Sequence, residues 1–77
     1  MGRVVKFSVV DANGSGIGGQ TVIAGDASLT TNASGVAQAL LDEGSTIISV
    51  NGLKAYDGPV AALRPLEVFT TTGKRVD

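Results

Sequence analysis

Turn-forming pairs interrupt this chain before any segment grows long enough to be a helix. Asn13-Gly14, Gly25-Asp26, Ser34-Gly35, Glu43-Gly44, Asn51-Gly52 and Gly58-Pro59 mark breaks about every 8–12 residues. Val, Ile and Thr dominate the segments between them, and no apolar pattern keeps a helical period over about ten residues. Short strands joined by tight turns are what such a chain can form.

The expected strands follow from local pattern. Val5, Phe7 and Val9 alternate with Lys6 and Ser8, so Arg3 to Val10 reads as a strand with an inner and an outer face. Gln20 to Ala24, Ser28 to Thr31, Val36 to Leu41 and Ser45 to Val50 read as four more. Gly35 suits a positive φ at the end of Asn32-Ala33-Ser34-Gly35. Asn51-Gly52 is the strongest hairpin signal. Asp57-Gly58-Pro59 reads as a turn, and Val60 to Leu63 as a short strand or one helical turn. Leu66 to Thr72 is the last expected strand. These elements predict an all-β, antiparallel sandwich of six or seven strands in a single domain over residues 1–72, with residues 73–77 as a flexible tail. The strand order after Gly52 stays open.

Composition narrows the function. A chain of 77 residues fits one small domain, whose own core contributes only about 3–5 kcal/mol. Cysteine and histidine are both absent, so no disulfide and no histidine metal ligand is available as a staple. A partner chain is the staple that remains. The net charge of −1 leaves no electrostatic footprint for nucleic acid or for an anionic membrane. No apolar run approaches the ~20 residues of a spanning helix. Lys6 interrupts the apolar N-terminal stretch and no small-residue cleavage site follows, so a cleaved signal peptide is not expected. Met1-Gly2 is either a native start or a cloning scar.

The stretch Val10 to Gln20, VDANGSGIGGQ, admits three readings. Gly14, Gly16 and Gly19 fit the spacing of a dinucleotide fingerprint, but β-branched Thr21-Val22-Ile23 follows where a helix should start, and no acidic residue lies ~20 positions on. Asp11, Asn13 and Ser15 fit the first half of a calcium loop, but position twelve is Val22 instead of a bidentate carboxylate. A turn needs nothing more: Asp11 and Asn13 bond back to the backbone, and the glycines allow close approach. The turn is the preferred reading, with weak calcium binding at Asp11 left open and no cofactor expected. No nucleophile stands beside a base, so no enzyme is expected. Tyr56 is either an exposed binding aromatic or, preferably, a plug at one end of the core.

The turns also carry a resemblance. Val10-Asp11-Ala12-Asn13-Gly14, then Gly18-Gly19-Gln20-Thr21-Val22, then Thr30-Thr31-Asn32-Ala33-Ser34-Gly35, Val36 to Leu41, Gly44 and Ser45 to Val50 resemble bacterial immunoglobulin-like and carboxypeptidase-regulatory-like modules. The resemblance covers somewhat more than half of the chain and stops after Asn51-Gly52. It implies an immunoglobulin-like sandwich. Such modules are mostly non-catalytic and occur in larger surface proteins or on phage particles.

The family pattern points Ala37, Ala39 and Leu41 inward on Val36 to Leu41, which leaves Val36 and Leu40 outward. On Ser45 to Val50 it sends Ile48 and Val50 inward and Ile47 outward. Either Val22 or Ile23 must also face out. Val36, Leu40 and Ile47 are therefore the expected protein-interface residues, as a patch on neighbouring strands. The competing reading is a one-residue slip of register, which would swap the faces. The expected function is a capsid decoration (cement) protein of a tailed bacteriophage virion, assembled in the host cytoplasm. It would bind the major capsid protein or another virion protein, as a homo-oligomer (dimer or trimer). The alternative is an immunoglobulin-like spacer module of a bacterial surface or secreted protein. A carbohydrate- or peptide-binding domain is less favoured, because tryptophan and an aromatic cluster for sugar stacking are absent.

Overall fold

The computed structural model describes residues 2–76; Met1, and with it the nature of the start, and Asp77 lie outside them. Eight strands are present: β1 Arg3–Val10, β2 Thr21–Ala24, β3 Ala27–Thr30, β4 Val36–Leu41, β5 Ser45–Val50, β6 Leu53–Pro59, β7 Leu66–Thr70 and β8 Arg75–Val76. They form two four-stranded sheets, β4-β1-β7-β8 and β3-β2-β5-β6. The molecule is an all-β sandwich.

The core lies between the sheets and follows the period-2 alternation. Val5, Phe7 and Val9 from β1, Val22 and Ala24 from β2, Ala39 and Leu41 from β4, Ile48 and Val50 from β5 and Phe69 from β7 are all buried in one cluster. Phe7 and Phe69 stack with ring centroids 6.2 Å apart, an arrangement that adds to their area burial. Tyr56 packs against this cluster from β6 and donates its hydroxyl to the Pro59 carbonyl at 2.7 Å.

Three expectations need correction. The sandwich is not wholly antiparallel: β1 and β7 pair in parallel, with Lys6 opposite Leu66 and Val9 opposite Phe69. The β1–β7 connection passes through the other sheet, which gives the chain length a parallel crossover requires. Asp57-Gly58-Pro59 is no turn. It completes β6, which pairs with β5 from Val50–Leu53 to Ser45–Pro59 and absorbs an irregularity between Ile48 and Ser49. The turn comes one step later, as a 3-10 turn at Val60–Ala62. Nor is the segment from Gly73 a tail: it adds a strand, β8, so the sandwich has eight strands and not six or seven. Gly73, at φ 84°, turns the chain back, and Arg75–Val76 pair with Val68 and Phe69.

The Asn51-Gly52 turn matches its local chemistry closely. Asn51 (φ 51°) and Gly52 (φ 84°) both adopt the left-handed region that a two-residue hairpin of this type requires. Asn51 also ties the hairpin to its surroundings, accepting from the Thr21 amide and donating to the Gln20 side chain.

Candidate functional site

The glycine-rich stretch is the first place to look for a ligand, and its geometry is fully occupied by the fold. The Asp11 carboxylate accepts from the Asn13 and Ser15 amides at 2.9 and 3.0 Å, and Gly14 N donates to the Asp11 carbonyl. The chain then lies directly on the Asn32–Gly35 turn. A Cβ on Gly16 would overlap the Ser34 carbonyl, one on Gly18 would sit 2.6 Å from the Asn32 carbonyl oxygen, and one on Gly35 2.5 Å from the Ile17 amide. The glycines are needed because two backbones touch. Thr31 locks the contact from beneath: buried, it donates its hydroxyl to the Ile17 carbonyl at 2.8 Å and accepts from the Gln20 amide at 2.9 Å. After Gly19 the chain enters β2, where a phosphate-binding loop would start a helix. Among the described residues no three His, Cys, Asp or Glu side chains gather to hold a metal.

Glu67 is the one buried carboxylate among the described residues, fully enclosed on the inner side of β7 beside Phe69. Oε2 accepts from the Arg64 amide at 2.6 Å and from Arg75 Nη2 at 2.9 Å. Oε1 accepts from Arg64 Nη2 at 3.0 Å and Arg75 Nε at 2.9 Å. Burial by itself raises the Glu67 pKa. The hydrogen bonds from the Arg64 side chain and backbone and from Arg75, together with the Arg75 charge, outweigh burial and hold the carboxyl below its ordinary value. Arg75 in turn lies over the Tyr56 ring, 5.5 Å from its centroid. The group joins β7, β8 and β6 at one edge of the sandwich. Its fixed charge suits a structural clamp and not proton transfer near neutral pH.

A cleft of about 360 Å³ opens at one end, lined by Arg3, Leu41, Glu43, Gly44, Val60 and Ala61. The Arg3 guanidinium there is turned onto the Val60 carbonyl at 3.1 Å.

The outer face of the β4-β1-β7-β8 sheet is different in character. Val4 lies opposite Leu40; Lys6 lies between Gln38 and Leu66; Ser8 lies between Val36 and Val68, and Val68 meets Val76. Leu40 is 68% exposed, Val4 55%, Leu66 46% and Val76 38%, while Val36 and Val68 are half-buried. Val4 and Leu40 thus stand at one end of the surface and Val36, Val68 and Val76 at the other, with Gln38, Lys6 and Leu66 in the row between. Apolar residues gathered on one face mark interaction surfaces more often than singly scattered ones do.

Of the three expected interface residues, Leu40 and Val36 share this face, with Leu40 prominent and Val36 only half-exposed. Ile47 does not join them. It projects from the outer face of the opposite sheet, 51% exposed, where Ile23 is its apolar neighbour and the Lys54–Asp57 ion pair lies beside it. The expected continuous patch therefore does not exist. β4 and β5 are neighbours in sequence, but the 42–44 connection carries the chain from one sheet to the other. Sequence reasoning also missed Val4, Leu66 and Val76. Val4 was available from the alternation of β1, on the Lys6 side; Leu66 and Val76 needed the β7 and β8 pairings.

No family model, curated protein or solved structure matches this chain.

Proposed function

We propose that this chain is a non-catalytic structural protein that works by binding other protein subunits through the outer face of its β4-β1-β7-β8 sheet. Its setting in this reading is a tailed-phage virion, where it decorates and cements the capsid. The observation that carries the binding role is the exposed apolar set Leu40, Val4, Leu66 and Val76 on one face of the domain. The virion setting draws on the resemblance of the turn pattern to immunoglobulin-like modules and on the small core, which gains stability from a neighbour.

The test is the protein content of purified phage particles from the source of the sequence. An intact chain near 7.7 kDa, in copy number tied to the major capsid protein, is expected. Particles complemented with Leu40→Asp should lose it, and particles complemented with Ile47→Asp should keep it. Recovery of the sequence only within a polypeptide several times larger, at a bacterial surface, would replace this reading with the spacer-module one.

A further inference from the structure

β4 is an edge strand with one side open, and its open groups are known individually. Val9 N donates to the Gly35 carbonyl at 2.8 Å, which fixes Val9 as a residue of β1 whose backbone amide points toward β4, although Gly35 N turns to the Asn32 carbonyl. Pairs alternate along an antiparallel ladder. With the register Phe7–Ala37, Val5–Ala39 and Arg3–Leu41, the odd residues of β4 bond to β1. The N–H and C=O of Val36, Gln38 and Leu40 point away from it. Val36 is already closed off: its carbonyl accepts from Asn32 N and its amide donates to the Asn32 side chain. Gln38 and Leu40 remain, and both are exposed.

The other edges carry the usual protections against strand addition. β8 is two residues long and holds Arg75 against Glu67. β3 is only four residues long and begins at the Gly25-Asp26 turn. β6 carries Lys54, Asp57, Pro59 and the irregular pairing opposite Ile48–Ser49. β4, VAQALL, has no charge, no proline and no bulge.

We infer that β4 pairs with β4 of a second copy of this chain, antiparallel about a two-fold axis at Ala39. In that register Gln38 and Leu40 of one copy face Leu40 and Gln38 of the other. Each such pair exchanges two backbone hydrogen bonds, and every open group of the edge is satisfied. Ala39 meets Ala39 across the axis, where the narrow spacing of a non-hydrogen-bonded pair suits a small side chain. The two Leu40 side chains become diagonal neighbours on the outer face, within reach of each other. Leu40 is the most exposed large hydrophobic residue among those described. The result is one sheet of eight strands, β8-β7-β1-β4 continued into β4-β1-β7-β8 of the partner, with the Val4 and Leu66 surface doubled. This dimer stands whether or not the protein works on a virion.

The experiment is native mass spectrometry with sedimentation equilibrium on the purified chain, combined with residue-resolved hydrogen exchange by NMR. A species of twice 7.7 kDa is expected, in which the Gln38 and Leu40 amides exchange at least about tenfold more slowly on concentrating the sample. Gln38→Pro removes a donor that the β1–β4 ladder does not use. It deletes two hydrogen bonds per dimer and should raise the dissociation constant about 30-fold. Leu40→Lys places a charge on the edge and should also give monomers, which decides the matter if the proline variant does not fold. Ile47→Lys, on the far sheet, should remain dimeric. A monomer at all concentrations, a trimer, or a dimer whose Gln38 and Leu40 amides stay unprotected would overturn the proposal.

Discussion

Glu67→Gln is the substitution that most directly tests the physics of this fold. The glutamine matches glutamate in size but places an NH₂ where one carboxylate oxygen was. One oxygen accepts from Arg64 N at 2.6 Å and from Arg75 Nη2 at 2.9 Å; the other accepts from both guanidinium groups. In either amide orientation, donors face donors. The two guanidinium groups can turn partly to water, since the Arg64 and Arg75 side chains are 45% and 32% exposed. The Arg64 amide cannot follow them, so the glutamine oxygen stays on it and the NH₂ faces the guanidinium groups. The cost is therefore below that of a stranded buried charge and amounts to about 2–3 kcal/mol. In a domain of this size that lowers Tm by about 10–20 °C. Thermal unfolding followed by circular dichroism measures it. The difference also depends on pH, with a fixed sign. The folded carboxyl titrates below its unfolded value, so its stabilisation is complete above about pH 5 and fades as pH falls through the folded value. A protonated glutamate resembles glutamine, so the two proteins should converge as pH falls through the lowered folded value. A Tm difference under about 3 °C at pH 7, or one unchanged down to about pH 3, would refute the clamp.

Other outcomes follow from single contacts. Gly16→Ala should destabilise more than Gly14→Ala in urea unfolding, because the first drives a methyl into the Ser34 carbonyl while the second meets open space and costs only the left-handed φ of 84°, about 1 kcal/mol. Asp11→Ala should cost about 0.5–1 kcal/mol through its two lost turn bonds, and millimolar calcium should leave the wild-type Tm unchanged. Thr31→Val should cost about 1–2 kcal/mol, since the half-buried Gln20 amide loses its acceptor, and Gln20 should then lose exchange protection.

Much of this architecture was legible wherever it rests on neighbours in the chain. The alternation of Val5, Phe7 and Val9 sets the inner face of β1, and Asn51-Gly52 makes its own hairpin. The faces of β4 and β5 were also readable, because side chains alternate whatever the strand pairs with. Parity assigns a residue to one side of its own strand and does not say which sheet holds that strand. Leu40 and Ile47 both face outward, yet in opposite directions, for that reason. The β1–β7 pairing joins residues far apart in sequence and leaves no local mark. Asp57-Gly58-Pro59 has turn chemistry but ends β6, because Pro59 sits at the end of an edge strand, where its missing N–H costs little. Glu67 left a readable trace: it shares parity with Phe69 in Leu66–Thr70, and an acidic residue on an inward face needs a cation. Arg64 and Arg75 flank that strand, yet only the turn at Gly73 brings Arg75 back onto it.

The parallel pairing of β1 with β7 has a consequence for the order of assembly. β2 with β3 and β5 with β6 are hairpins, and they close as soon as their turns form. β1 emerges first during synthesis and waits longest, because the strand that covers its second side is made only after six others. Until Leu66–Thr70 arrives, Phe7 lacks the ring it stacks on, and one edge of β1 stays open to any passing strand. The topology therefore favours early closure of the β2–β3 and β5–β6 hairpins and late completion of the β4-β1-β7-β8 sheet. Slow closure, and misassembly when closure fails, are concentrated in the sheet that carries the binding face.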